Sequence, residues 1–272
     1  MDILYIFNFE SQHLESALAR FRHSLASVAG QGARICVSNN SEECVLSRIG
    51  DVVHDLAYVH KPYRGQFSRA HGINFGVRSL VRSEYFMISD VDLIYHRNHL
   101  AAVQRKMQEG LRTAKRPLRM VFWNYNLQPR YQPAWMNRRI LRRFAATSPR
   151  MESSDYEALS LLPHNGGGFA HGNGLIHRES FMRLRGYDEE MIGYGPEDDL
   201  FNTRIGKVND IVYDRGDDTA SIHLWHPRLR LIQLKKNMRI WQERKIFFDN
   251  LVNPDWSDVM ANKKKSSWGE IS

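Results

Sequence analysis

The 272-residue sequence predicts an α/β fold, a mostly parallel central sheet flanked by helices in a single compact domain. Two observations carry this expectation. Short apolar runs of strand length alternate with longer segments whose apolar residues recur at helical spacing. Strands alternating with helices form parallel pairs, with the helices crossing over the faces of the sheet. Composition agrees, since 42% hydrophobic and 25% charged residues is ordinary globular usage.

Asp2–Asn8 reads as a buried strand. Leu14, Leu18, Phe21, Leu25 and Val28 then fall on one helical face, giving a helix over Ser11–Val28. Ala33–Val37 is a second strand, closed by Ser38-Asn39-Asn40-Ser41, and a third lies near Asp51–Val59. Phe67–Val81 is helical, with Phe67, Ala70, Ile73, Val77 and Leu80 on one face. Tyr85–Ser89 is a short apolar strand running into Asp90. Asn98–Glu109 reads as a helix and Leu118–Tyr125 as a strand. Asn165–Gly168, with three consecutive glycines, reads as a flexible break. Asn173–His177 and a helix near Glu179–Leu184 follow, then a turn at Arg185–Asp188. Pro196 suits the first position of a helix whose first turn holds Glu197, Asp198 and Asp199. Thr219–Leu224 is a late strand, and Leu231, Leu234, Met238, Trp241 and Phe248 mark a C-terminal helix.

The net charge is +8, which favours anionic partners without selecting one. Two cysteines make neither a disulfide framework nor a CxxC pair. No run of 18 apolar residues is present to span a membrane. The expected location is cytoplasmic, at most peripheral at the inner face of a membrane. Residues 130–150 mix six arginines with Trp135, Ile140, Leu141 and Phe144. That stretch is either a solvated helix face or a contact for an anionic acceptor or membrane surface.

Three segments carry chemistry. Asp90-Val91-Asp92 follows an apolar strand, and extended chain would turn both carboxylates to one side. Aspartates alone repel a diphosphate, so a divalent cation must lie between them, and oxygen ligands suit Mg²⁺ or Mn²⁺. His223 and His226 stand three apart after a strand and can converge on one ion, although such a pair is weak evidence among 12 histidines. Imidazoles added to a carboxylate favour Mn²⁺ over Mg²⁺. In Gly193–Asp199 the glycines permit close approach of backbone to ligand, and Tyr194 offers a flat face to a sugar. One carboxylate of its acidic cluster can act as general base, its pKa raised by its neighbours; helix capping is the plainer alternative.

Taken in order, these segments resemble the β-1,4-galactosyltransferases. Phe67-Ser68-Arg69-Ala70-His71-Gly72-Ile73-Asn74-Phe75-Gly76 is similar to their F-N-R-A-x-x-x-N-x-G segment, and Phe86–Ile94 to their F-x-x-S-D-V-D-L strand. Gly186-Tyr187 with Gly193–Asp199 resembles their G-F…W-G-W-G-G-E-D-D block, and His223–His226 falls where they hold a metal pair. The polypeptide N-acetylgalactosaminyltransferases and chondroitin-type polymerases have similar blocks. The resemblance implies the Rossmann-like GT-A glycosyltransferase fold. It implies a nucleotide-sugar-binding half over residues 1–125, an acceptor-binding and catalytic half over 126–255, and a basic tail over 256–272.

It also implies roles. Asp92, His223 and His226 would hold Mn²⁺, with Mg²⁺ as the alternative. Phe67, Arg69, Asn74, Asp90 and Val91 would serve the nucleotide-sugar. Asp198 would be the base, Glu197 would bind acceptor or donor hydroxyls, and Tyr194, Gly195 and Asp199 would face the acceptor. The implied activity is inverting transfer of galactose or a related hexose from a UDP-sugar to a glycan or lipid-linked glycan. Pro196 and Tyr194 depart from the family's glycine and tryptophan, which touches the acceptor side, and His223 stands where a methionine is also found. Two alternatives stay open: another UDP-sugar or retaining stereochemistry on the same fold, and a non-catalytic polyanion-binding protein. No nucleic-acid motif accompanies the charge, and carboxylates concentrated at the site argue against a polyanion.

Overall fold

The structure is a computed structural model that describes residues 1–53, 55–62, 67–127, 164–193, 195–224, 226 and 233–252, by main chain alone at 164–166. The arginine-rich stretch 130–150, Tyr194 and the tail 256–272 lie outside the described residues.

The chain runs β1 (Asp2–Phe7), α1 (Ser11–Val28), β2 (Arg34–Asn39), a short α2 (Leu46–Ile49), β3 (Leu56–His60), α3 (Arg69–Leu80), β4 (Tyr85–Ser89), β5 (Leu93–Tyr95), α4 (His99–Leu111) and β6 (Leu118–Leu127). It continues with β7 (His164–Phe169), β8 (Gly174–His177), α5 (Arg178–Arg183), α6 (Glu197–Ile205), β9 (Asp210–Asp214), β10 (Ser221–His223) and α7 (Leu234–Asp249). The sheet order is β3-β2-β1-β4-β8-β6-β10-β5. Pairings among the first four strands are parallel, and β8 runs antiparallel between β4 and β6. β6 is the pivot: β8 and β9 flank its first half, and β7 and β10 flank its second. The expected mostly parallel α/β architecture is what forms.

Alternation along β1 divides the core. Ile3, Tyr5 and Phe7 face a cluster shared with Leu14, Leu18 and Phe21 of α1 and Leu100 and Val103 of α4. Leu4 faces the opposite cluster, with Ala70, Ile73 and Val77 of α3, Phe181 of α5, Leu200, Phe201 and Ile205 of α6, and Phe248 of α7. A strand covered on both faces must be apolar nearly throughout, as β1 is. α3 lies unusually close to the sheet because two of its residues are glycines. A Cβ at Gly72 would come within 2.6 Å of Ile6 Cγ2, and one at Gly76 within 2.8 Å of Leu4 Cδ1. Ser68 caps this helix, its hydroxyl accepting from the His71 N–H at 3.2 Å. α7 packs against α6 and is tied by Arg244 to Asp188 and Glu190. No helix among the described residues is long and apolar enough to cross a membrane.

Two departures from the sequence reading have physical causes. The segment Asn165–Gly168 lies in strand β7, antiparallel to β6, rather than in a flexible break. Gly167 lies against Trp123, where a Cβ would sit 2.5 Å from the indole Nε1, so glycine is what the close pairing requires. The chain also turns at Val91-Asp92 instead of remaining extended, and then forms β5, a strand too short to show a period.

Candidate active site

The site lies beyond the carboxyl ends of β4, β6 and β10, where open α/β sheets bind ligands. Its first part is built by strand register. β10 runs antiparallel to β5 with His223 opposite Leu93, and the Leu224 N–H donates to the Asp92 carbonyl at 2.9 Å. This brings together residues more than a hundred positions apart in the chain. His223 Nε2 lies 3.5 Å from one Asp92 carboxylate oxygen and His226 Nε2 lies 3.1 Å from the other. One ligand atom from each of the three falls within 4.8 Å of the others. Burial alone would push the Asp92 carboxyl up, but His223, His226 and Arg20 hold it at about 2, so it is a carboxylate at neutral pH.

Asp92 Oδ1 is buried and has no hydrogen-bond partner among the described residues. An unsatisfied buried carboxylate oxygen is costly unless a cation completes it. One oxygen and two imidazole donors suit Mn²⁺ or a similar transition ion better than Mg²⁺. The residues present therefore fit a divalent metal.

The second part centres on Arg69 at the start of α3. Its guanidinium donates to Asp90 Oδ1 from Nε at 3.1 Å and from Nη2 at 2.8 Å, to the Gly172 carbonyl at 2.9 Å, and from Nη1 to Asp198. Asp90, just past β4, and Asp198, in the first turn of α6, are thus clamped to one cation. Burial pushes the Asp198 pKa up, Asp90 and Asp199 push it further, and Arg69 opposes them without restoring the ordinary value. Burial, and then the Asp198 charge, raise Glu197 to about 8, well above the ordinary carboxylate value. These are the neighbour effects expected of a clustered general base.

A cleft of about 420 Å³ joins the two parts, with Asp90, His223, Asp198, Asp199 and Gly195 among its lining residues. Other expected residues lie further back. The Val91 side chain packs in the core. Asn74 is fully buried, donating to the Tyr187 carbonyl at 3.0 Å and to Glu189 at 2.6 Å, and accepting from the Tyr187 N–H. Phe67 accepts from the Gly193 N–H at 2.6 Å, holding the two glycosyltransferase-like segments together. Glu197 is buried beneath the cleft, with Oε2 unpartnered among the described residues.

The sequence reading missed the loop between β7 and β8. Asn173 accepts from the Asp90 N–H at 2.9 Å and donates to Asp90 Oδ2 at 3.0 Å, fixing that side chain. His171 Nδ1 lies 2.5 Å from Asp199 Oδ1. Gly172 lies directly against the Arg69–Asp198 pair, where any Cβ would collide. Beneath the loop, fully buried Arg119 donates to four carbonyls, of Met120, His171, Asn173 and Leu175. A lone arginine inside the apolar strand 118–123 was the available signal.

An open α/β sheet with this cluster at its carboxyl edge defines a GT-A glycosyltransferase domain, and solved structures of that class match it. Against S. aureus TarS 1-349 in complex with UDP-GlcNAc the TM-score is 0.59 at 12% identity, over 96% of this chain and 70% of that one. Against GalNAc-T7 with UDP, GalNAc and Mn²⁺ it is 0.56 at 14% identity, over 96% and 53%. Against the Pyrobaculum calidifontis mannosyltransferase PcManGT with GDP-Man and Mn²⁺ it is 0.51 at 14% identity, over 95% and 67%. No curated protein matches the sequence. The family model for glycosyltransferase like family 2 matches residues 33–226, and the chain belongs to that family.

Proposed function

We propose that this domain is an inverting, divalent-metal-dependent transferase that moves a hexose, galactose or a close relative, from a UDP-sugar to a glycan hydroxyl. One observation carries the reading. Asp92, His223 and His226 converge with an unsatisfied carboxylate oxygen at the same cleft that Asp198 lines. The UDP-sugar and hexose assignments rest on the resemblance of the Phe67–Gly76, Phe86–Ile94 and Gly193–Asp199 segments to the β-1,4-galactosyltransferases.

A divalent cation bound by Asp92, His223 and His226 would offset the charge on the departing diphosphate. The residues of the chain do the rest. Asp198 accepts the acceptor hydroxyl proton as that oxygen attacks the anomeric carbon. The bond from that carbon to the diphosphate breaks, and its electron pair leaves with the nucleotide. A single displacement of this kind inverts the carbon. Arg69 and Asn173 hold Asp90 and Asp198 in fixed orientation, which keeps nucleophile and donor in line. A cleft carrying Asp90, Asp198 and Asp199 disfavours the polyanion-binding alternative. The test is nucleotide release from a panel of UDP- and GDP-sugars, with and without Mn²⁺ and with EDTA. Mn²⁺-dependent release from a UDP-hexose is the expected result; no release from any donor would refute the reading.

A further inference from the structure

A second cavity of about 490 Å³ opens beside the cleft, between α6, α7 and β9. The two share His171 and Asp199 in their linings, so they adjoin beside the acidic start of α6. Aromatic rings run from one into the other. Phe169 lines the cleft, Tyr213 lines the cavity, and their rings meet edge to face at 4.9 Å, with His171 at 6.0 Å from Tyr213. Tyr213 is 48% exposed, a large open ring on a strand whose other residues are half-buried. Trp241 of α7 supplies a second indole-sized surface.

Two polar atoms among the lining residues are unspent. Asn202 is 5% exposed and donates from Nδ2 to the Tyr213 hydroxyl at 3.1 Å, but its Oδ1 accepts nothing among the described residues. The Trp241 Nε1–H likewise has no acceptor among them. Both atoms are enclosed by their surroundings and unpaired, so a small turn of either side chain toward the cavity gains a hydrogen bond from a ligand at no cost to an existing one. Charge narrows the ligand's chemistry. The lining lysines, Lys207 and Lys245, are matched by Asp199 and Asp249, and Lys245 is already paired with Asp249. A charge-balanced cavity does not select a phosphate or other anion. Aromatic faces beside an amide and an indole N–H suit a neutral polyhydroxyl ring.

We infer that this cavity is a distal saccharide subsite, so that the acceptor is an oligosaccharide of at least two units whose terminal sugar enters the cleft. The inference rests on the transferase reading above and deepens it. Reach explains the arrangement: a chain leaving the cleft past His171 and Asp199 meets the Tyr213 and Trp241 faces next.

The test uses the full chain with Mn²⁺, its UDP-hexose donor, and mono-, di- and trisaccharide glycosides of glucose, galactose and their 2-acetamido forms. In the parent, kcat/KM should rise about tenfold or more from the best monosaccharide to its elongated form, mainly through KM. Trp241→Ala and Tyr213→Ala should abolish that gain and leave monosaccharide transfer and acceptor-free donor hydrolysis unchanged. Tyr213 is exposed enough that its replacement does not threaten folding. The Trp241 indole ¹⁵N–H resonance, assigned with Trp241→Phe, should shift on titration with the longer glycosides. No gain with length, an equal loss on short and long acceptors, or no indole shift with any glycoside would overturn the proposal. Absent donor hydrolysis in the parent would strike the transferase reading, while the indole titration still judges the cavity.

Discussion

Replacing Arg69 with methionine tests whether the site is organised as described. The guanidinium side chain is 13% exposed and bridges Asp90 and Asp198, which are 37% and 30% exposed. Removing one partner of a fully buried ion pair costs about 3–5 kcal/mol. Both carboxylates keep some solvent, so the cost here is nearer 2–3 kcal/mol. A chain of 272 residues has an unfolding entropy of roughly 0.6 kcal/mol/K, which converts that loss to a Tm drop of about 4–5 °C. The drop should also depend on pH. Asp198 already has a raised pKa in the folded state, and Arg69 is what restrains it. Without Arg69 the folded carboxyl binds its proton still more tightly than the unfolded one. Stability is then fullest below the ordinary carboxylate pKa and is lost as pH rises through the raised one. Thermal melts of parent and variant from about pH 5 to pH 8 should show a deficit that grows with pH. Arg69→Lys, which keeps charge but not the planar fork, should recover part of it. An unchanged Tm, or a deficit that shrinks as pH rises, would refute the argument.

Three further outcomes follow from the same geometry. Mn²⁺ at about 100 times its Kd should stabilise the parent by about 2.7 kcal/mol, a rise of about 5 °C, and Asp92→Ala should lose that rise; an undiminished shift would remove Asp92 from the metal site. Asp198→Asn should keep Mn²⁺-dependent UDP binding by calorimetry and lose about 10²–10⁴-fold in kcat, while the parent's kcat should fall on the acid side at a pH above the usual carboxylate range. Near-parental turnover in that variant would exclude Asp198 as the base. Arg119→Met should release the loop carbonyls of His171 and Asn173, and amide exchange across 170–173 should speed up about tenfold by mass spectrometry. Unchanged protection would show that the loop is held by something else.

The first half of the fold was legible because each element carried its own period. α1 and β4 begin and end at the residues the pattern gives, Ser11–Val28 and Tyr85–Ser89. Elements defined by their neighbours were not legible. β5, with three residues, is a strand only because β10 lies beside it, whereas β10 also pairs with β6 and falls within the Thr219–Leu224 strand that the apolar pattern gives. β7 is rich in glycine, which weakens any local strand signal, and its pairing with β6 is what fixes it. The site divides in the same way. Asp92, His223, His226 and Asp198 are legible as residue types suited to their chemistry. Asn173, His171 and Arg119 act largely through hydrogen bonds to loop and main-chain groups, and such partners have no signature in sequence spacing.

The turn at Val91-Asp92 gives the two aspartates different tasks. Had the strand stayed extended, both carboxylates would face one cation. Instead Asp92 turns to the histidines of β10 and its flank, and Asp90 stays with Arg69, Asn173 and, through Arg69, Asp198. Only Val91 separates them, and its side chain is anchored in the core. The segment therefore sets the Asp92–His223–His226 cluster and the Asp90–Arg69–Asp198 cluster side by side, each held by its own partners. Separate anchoring of this kind fixes both clusters about one cleft without direct contact between Asp92 and Asp90.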